Sequence, residues 1–167
     1  MFERFFPDEY LDSAYVVNYE KLYQEGYRGI LFDIDNTLVP HGAPADPEAV
    51  RLFQKLRDIG FSCCLVSNNR KKRVEPFGAQ FIEMAAKPSR KGYERAMERL
   101  GTNTGNTVFI GDQLFTDIWG AKNAGLRNIL VKPINPKEEI QIVLKRYLEK
   151  IVLWFYVRRQ EKNSGSL

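Results

Sequence analysis

Five short apolar runs recur along the chain, GILFDID, FSCCLVS, QFIEMAA, NTVFIGD and RNILVKP, and polar residues follow each at its carboxyl end. Runs of this length, rich in branched and aromatic side chains and bounded by Gly, Pro or Asn, read as buried strands. Between them the apolar positions take helical spacing: Pro47 to Asp58 behind an Asp46 cap, Lys71 to Phe77, Ser89 to Leu100, and Thr116 to Ala124 ending at Gly125. A helix between two strands carries the chain back, so that the next strand starts in the same direction as the last. The pattern predicts an α/β fold, a three-layer sandwich with a central parallel sheet and helices on both faces. Ligands of such sheets bind beyond the carboxyl ends of the strands, which is where the polar motifs of this chain fall.

A chain of 167 residues that is 44% hydrophobic can bury one core and little more, so residues 1–167 are expected to form a single domain. The adjacent Cys63 and Cys64 point to opposite faces of a strand and make neither a disulfide framework nor a zinc site. Buried thiols in a reducing compartment are expected. The N-terminal MFERFFPDEYLDS carries acids where a signal peptide needs an apolar core. The longest apolar stretch, 151–157, falls far short of the roughly 20 residues that span a bilayer. A cytoplasmic protein without a transmembrane helix is the expectation. Its net charge of +4 favours an anionic partner without identifying one.

Asp33 and Asp35 stand two residues apart at the end of the first run, a spacing that aims both side chains to the same side of a strand. Two carboxylates this close repel, and a bound divalent cation would keep both ionised. Mg2+ suits them, because it takes oxygen ligands and is commonly held by one or two carboxylates together with substrate phosphate. An EF-hand is excluded, since Leu38 stands where that loop requires Gly. After the second run, Ser67 and Asn68 offer donors to an oxyanion, although both residue types also form turns. Lys87 follows the third run, and Pro88 is expected to open the next helix, which would set the ammonium beside an anion-attracting helix N-terminus. Asp112 and Asp117 follow the fourth run at the same sheet edge. Asn36 and Thr37 read as loop-shaping residues and His41 as a solvent-exposed one. The basic run from Arg70 to Arg73 is either a solvated helix face or a guide for an anionic substrate.

Taken in order, DIDNT, VSNN, AAKP and GDQLFTDIWGAKNAG resemble the four motifs of the haloacid dehalogenase (HAD) superfamily phosphatases, over roughly Gly29 to Lys132. The resemblance implies a HAD-like Rossmannoid sandwich in which Asp33 is the nucleophile and Asp35 the general acid and base. It implies that Ser67, Asn68 and Lys87 bind phosphate, that Asp112 ligates the metal and that Asp117 supports the site from behind. In that family the backbone carbonyl of the second aspartate also binds Mg2+, so the implied metal site is Asp33, Asp35 and Asp112. A dehalogenase lacks the second acid, so Asp35 argues for phosphoryl transfer. Over its whole length, including FPDEY and LFDIDNTLVP, the chain resembles the YqeG-like group of subfamily IIIA, small phosphatases similar to the mitochondrial phosphatidylglycerophosphate phosphatases. This implies hydrolysis of phosphatidylglycerophosphate to phosphatidylglycerol. Ser67 and Lys87 are 20 positions apart, room for one helix and one strand, so no cap domain fits and the site is expected to be capless and open.

Residues 136–160 read as a C-terminal amphipathic helix whose aromatics are flanked by Lys145, Arg146, Lys150, Arg158 and Arg159. That composition suits peripheral contact with an anionic membrane at its inner face, and Phe2, Phe5 and Phe6 would serve as anchors of the same kind. An apolar helix at a chain end also packs on its own sheet or on a second subunit, which leaves oligomeric state open. Two other functions are compatible with the sequence. One is a HAD phosphatase of a soluble sugar phosphate, nucleotide or phosphoprotein. The other is a non-catalytic nucleic-acid or ribosome-associated module, which would use the basic excess but has no need for four converging carboxylates, so a nucleic-acid partner is not expected.

Overall fold

The computed structural model describes residues 2–69, 77–135 and 140–164. The basic run Arg70 to Arg73 and most of the helix expected from Lys71 lie outside them, as do residues 136–139, where the expected C-terminal helix was to begin. Six strands form one parallel sheet: β1 (Glu9–Leu11), β2 (Gly29–Phe32), β3 (Ser62–Val66), β4 (Gln80–Ile82), β5 (Thr107–Gly111) and β6 (Arg127–Val131), in the order β1-β6-β5-β2-β3-β4. The chain builds outward from β2 to β4, then crosses back to β5. The strand order therefore reverses between β2 and β5, and Phe32 lies opposite both Leu65 and Ile110. Such a switch point opens a crevice at the carboxyl ends of the two strands.

Alternation along the strands supplies the two faces. Ile30, Phe32, Cys63, Leu65, Val108 and Ile110 pack against α1 (Tyr19–Gln24) and α2 (Pro47–Ile59), whose Leu52, Phe53 and Leu56 face the sheet. Leu31, Cys64, Val66 and Phe109 point the other way, toward Tyr93, Ala96 and Met97 of α3 (Lys91–Leu100) and Ala121 of α4 (Trp119–Asn123). The two cysteines thus lie on opposite faces, both buried. Helix α2 begins as expected, with the Asp46 carboxylate accepting the Ala49 N–H at 2.8 Å and Pro47 in the first turn. It ends at Gly60, whose φ of 114° suits a residue without Cβ.

Three boundaries differ from expectation. Strand β4 stops at Ile82, after which Met84 and Ala86 take positive φ and turn the chain out of the sheet. Helix α3 starts at Lys91 rather than at Pro88, so Lys87 sits on a loop and not beside a helix N-terminus. The segment after β5 opens as a π-helical turn, Leu114–Ile118, and only then becomes α4. Two elements escape sequence reading altogether. Helix α1 has six residues. Strand β1 has three, and it is fastened at the sheet edge by the Asp8 carboxylate, which accepts from the backbone and side-chain N–H groups of Asn128 at 3.0 and 2.9 Å.

The last helix, α5 (Ile140–Ser164), crosses the α3/α4 face of the sheet at its β6 edge. Its Val152 packs with Phe5, Leu114, Ile118 and Leu130. Phe5 is buried, edge-on to Phe115 and Trp119, and so is core rather than an exposed anchor. Apolar side chains lie on the exposed side of α5 as well as on the buried one. No helix among the described residues is long and apolar enough to cross a membrane.

Candidate active site

Asp33 follows β2 and Asp112 follows β5, so the paired central strands deliver both carboxylates to the crevice. Asp117, from the π-helical turn, joins them. Oxygens of the three buried carboxylates lie within 4.8 Å of one another. Lys87 reaches in from the loop after β4, its Nζ 2.5 Å from Asp33 Oδ1 and 2.7 Å from Asp117 Oδ1. The second oxygen of Asp117 accepts the backbone N–H groups of Asp112 and Gln113 at 3.2 and 3.1 Å, so this side chain anchors both the lysine and the loop. Such a close approach needs Gly111, where a Cβ would stand 2.6 Å from Asp117 Oδ2.

Asp112 is held from two further sides. Thr37 donates its hydroxyl to Oδ1 at 3.2 Å, a bridge from the first loop to the fourth rather than a bond within the first. Arg146 of α5 donates to Oδ2 and, at 2.5 Å, to the Asp112 carbonyl. Arg146 is fixed in turn by Glu149, whose other oxygen accepts the Leu114 N–H at 2.8 Å and so satisfies a donor at the start of the π-helical turn. Arg146, grouped by sequence with the membrane-facing cations, instead points inward to the site.

Asp35 stands apart from the cluster. Strand β2 ends at Phe32, so the alternation that was to aim both aspartates alike has already stopped. The Asp35 carboxylate lies at the mouth, accepting from Gly42 N at 2.8 Å and Asn69 Nδ2 at 3.3 Å, with His41 Nδ1 at 3.9 Å. His41 is exposed, as expected, but it belongs to this mouth. Ser67 is buried, with its hydroxyl accepting the Asn69 N–H at 3.1 Å. Asn68 was expected to bind phosphate, yet its carboxamide pairs with the Lys87 backbone in both directions, at 2.7 and 3.2 Å, and thereby locates the lysine. Asn36 shapes the first loop as expected, by taking a left-handed backbone angle with φ at 62°.

The charges explain what the cluster can hold. Burial pushes the Asp33 carboxyl up to about 7 against the pull of Lys87, and Asp117 adds to the rise. Burial, then Asp33 and Asp117, raise Asp112 well above the usual carboxylate range. Burial works against the Lys87 ammonium, but Asp117 and Asp33 outweigh it and hold the lysine above its ordinary value. Four buried carboxylates, Asp33, Asp112, Asp117 and Glu149, share the Lys87 and Arg146 cations, and a divalent ion would balance the two charges left over. The donors are all hard oxygens, which fits Mg2+ or a similar cation and not a soft metal.

Sequence reasoning did not assign Thr37, Asn69, Tyr93, Arg146 or Glu149 to this site. Tyr93, buried in α3, donates to the carbonyl of Asp117 at 3.0 Å and holds the π-helical turn from below. Thr37 and Asn69 lie within the DIDNT and VSNN motifs, which were the available signal, whereas nothing local marks Tyr93, Arg146 or Glu149, because each meets the site only through packing.

Residues 41–125 match the haloacid dehalogenase-like hydrolase family. The chain belongs to that family and is a phosphatase of the HAD type with the family's α/β fold. It is 35% identical over 159 residues to the protein called Probable phosphatase YqeG of Bacillus subtilis, covering 92% of each chain. It is 25% identical over 158 residues to phosphatidylglycerophosphate phosphatase 1 of Arabidopsis thaliana, covering 86% of this chain and 45% of that one. Over 99 residues it is 23% identical to glyceraldehyde 3-phosphate phosphatase of Pyrococcus abyssi, covering 52% of this chain and 42% of the other. Its fold is shared with a subfamily III A HAD hydrolase of Legionella pneumophila, at a TM-score of 0.52, 18% identity, and coverage of 70% and 71%.

Proposed function

We propose that this phosphatase forms a phospho-aspartate on Asp33 and that its substrate is phosphatidylglycerophosphate. The observation that carries the mechanism is the buried Asp33 carboxylate, 2.5 Å from the Lys87 ammonium and beside two further acids in an oxygen-only donor set. Mg2+ held by Asp33, Asp112 and the Asp35 carbonyl would neutralise charge on the transferring phosphoryl group. Asp33 attacks phosphorus as the bond to the substrate alkoxide breaks, and Asp35 gives that oxygen its proton. As a carboxylate, Asp35 then takes a proton from the water that attacks the phosphorylated Asp33, which releases inorganic phosphate and restores the aspartate. Lys87 balances charge on the phosphoryl oxygens, Asp117 and Asn68 hold Lys87 in place, and the Ser67 hydroxyl is within the same loop set.

Two observations support the lipid. One relative is named for phosphatidylglycerophosphate, and the described residues hold no additional domain between β2 and α2 to enclose a small metabolite. The similarity to a glyceraldehyde 3-phosphate phosphatase favours a soluble sugar phosphate as the second reading. The test is Mg2+-dependent phosphate release from phosphatidylglycerophosphate in vesicles, compared with glyceraldehyde 3-phosphate, with Asp33→Asn as control. Preference for the vesicle lipid is the expected result. Preference for the sugar phosphate would keep the mechanism and discard the lipid, and an active Asp33→Asn enzyme would overturn the covalent step.

A further inference from the structure

The outer side of α5 is the largest concentration of uncovered apolar surface among the described residues. Tyr147, Leu148, Ile151, Trp154, Phe155 and Val157 are six of the nine exposed large hydrophobics there; the other three, Val16, Met84 and Ile134, are scattered. At about 100° per residue, positions 147, 151, 154, 155 and 158 share one side of a helix, and positions 149 and 152 fall on the other. Burial follows that division, with Glu149 and Val152 buried. A contiguous apolar face of this kind marks an interaction surface.

Its charge says what it meets. Lys150, Arg158 and Lys162 are exposed on the same helix, and the Arg158 guanidinium lies 3.9 Å over the Trp154 ring. Between Lys145 and Gln160 the sole acid is Glu149, which is buried and bonded to Leu114 and Arg146. The N-terminus extends the surface: Phe2 stacks on Phe155 with ring centroids 5.5 Å apart, and Phe6 meets Tyr156 at 5.4 Å. A groove of about 470 Å³ opens between these aromatics, rimmed by Arg158, Lys162 and the Arg159–Glu3 ion pair.

We propose that this face docks on an anionic lipid bilayer. Trp154 and Tyr147, whose rings have a polar edge, enter the headgroup region with the apolar Phe155 beside them, while Lys150, Arg158 and Lys162 meet lipid phosphates. A second copy is the poorer occupant, because a two-fold contact through this face sets the same cations against one another. The helix lies on the bilayer rather than through it, in keeping with its length of apolar sequence. Its inner side holds the loop after β5 through Arg146 and Glu149, so the docked helix is tied directly to the site. The narrowing of substrate to a lipid phosphate rests on the proposed phosphatase reading, whereas the docking itself does not.

Sedimentation with vesicles separates the two. The full chain is expected to bind phosphatidylcholine vesicles containing phosphatidylglycerol at least about tenfold more tightly than vesicles of phosphatidylcholine alone, with the difference shrinking at high salt. Trp154→Glu with Phe155→Glu, and separately Lys150→Glu with Arg158→Glu, should each weaken that binding about tenfold or more while the thermal midpoint stays near that of the parent. Absence of binding to either vesicle, binding indifferent to both double variants, or a dimer that the variants convert to monomer would overturn the proposal. Vesicle binding combined with preference for a soluble ester would sink only the lipid-substrate reading.

Discussion

The buried charges around Asp112 invite tests at single residues. Removing the Arg146 guanidinium leaves a buried carboxylate short of its partner, and breaking pairs of this kind costs on the order of 3 kcal/mol. Arg146→Ala should therefore lower the thermal midpoint of the metal-free protein by several degrees. Saturating Mg2+ should recover more of that loss than it adds to the parent, as checked by calorimetry with and without the ion. A methyl group at position 111 collides with the Asp117 carboxylate, so Gly111→Ala should cut turnover at least about tenfold through displacement of Lys87 and the π-helical turn. An unchanged kcat there would show that Asp117 does not hold Lys87 for the reaction. Burial pushes both thiols from 9.0 up to about 12. The folded chain thus keeps two protons that the unfolded chain releases, and this contribution to stability is present below about pH 9 and lost as pH rises toward 12. Alkaline unfolding should flatten measurably in Cys63→Ala and Cys64→Ala, and native thiols should react with a disulfide reagent only after denaturant is added.

At the scale of elements, α2 was legible because its apolar residues recur at helical spacing between the Asp46 cap and Gly60, and the body of α3 because the same spacing runs up to Gly101. Leu56 is fully buried at the end of the apolar stripe of α2, and Leu56→Ala should cost about 3 kcal/mol without altering the site. Gly120 of α4 admits no side chain, because a Cβ would stand 2.4 Å from the Tyr93 hydroxyl. Gly120→Ala should cost about 1–3 kcal/mol and also reduce activity, since Tyr93 supports the Asp117 backbone. Equal activity in that variant would separate Tyr93 from the site. Helix α1 and strand β1 were not legible. Six and three residues are too few for a period to show, and they are ordered by the Asn18 cap, the β6 ladder and the Asp8–Asn128 pair. The start of α3 was misplaced for a related reason: Pro88 is compatible with a first helical turn, but the loop has to reach Ser89 and Arg90 before the helix can begin.

Across the whole molecule, stability should depend on divalent cations. Three carboxylates converge on the switch point and share two side-chain cations with Glu149, and an ion that binds only the folded chain stabilises it by mass action, by about 2.7 kcal/mol at one hundred times its dissociation constant. Mg2+ titration should raise the thermal midpoint, chelation should reverse the rise, and Asp112→Asn should abolish it. The positions of the site motifs were determined by sequence, because alternation of strand and helix is a local pattern and the ends of parallel strands face one way. Asp33, Asp112, Asp117 and Lys87 could be assigned to one edge on that ground, and the HAD resemblance ordered them. Only the tertiary structure decided that β2 lies beside β5, that Asp35 sits at the mouth instead of in the cluster, and that Arg146 and Glu149 reach back to Asp112 and Leu114. Those contacts join residues far apart in the chain, and side-chain packing rather than any sequence period brings them together.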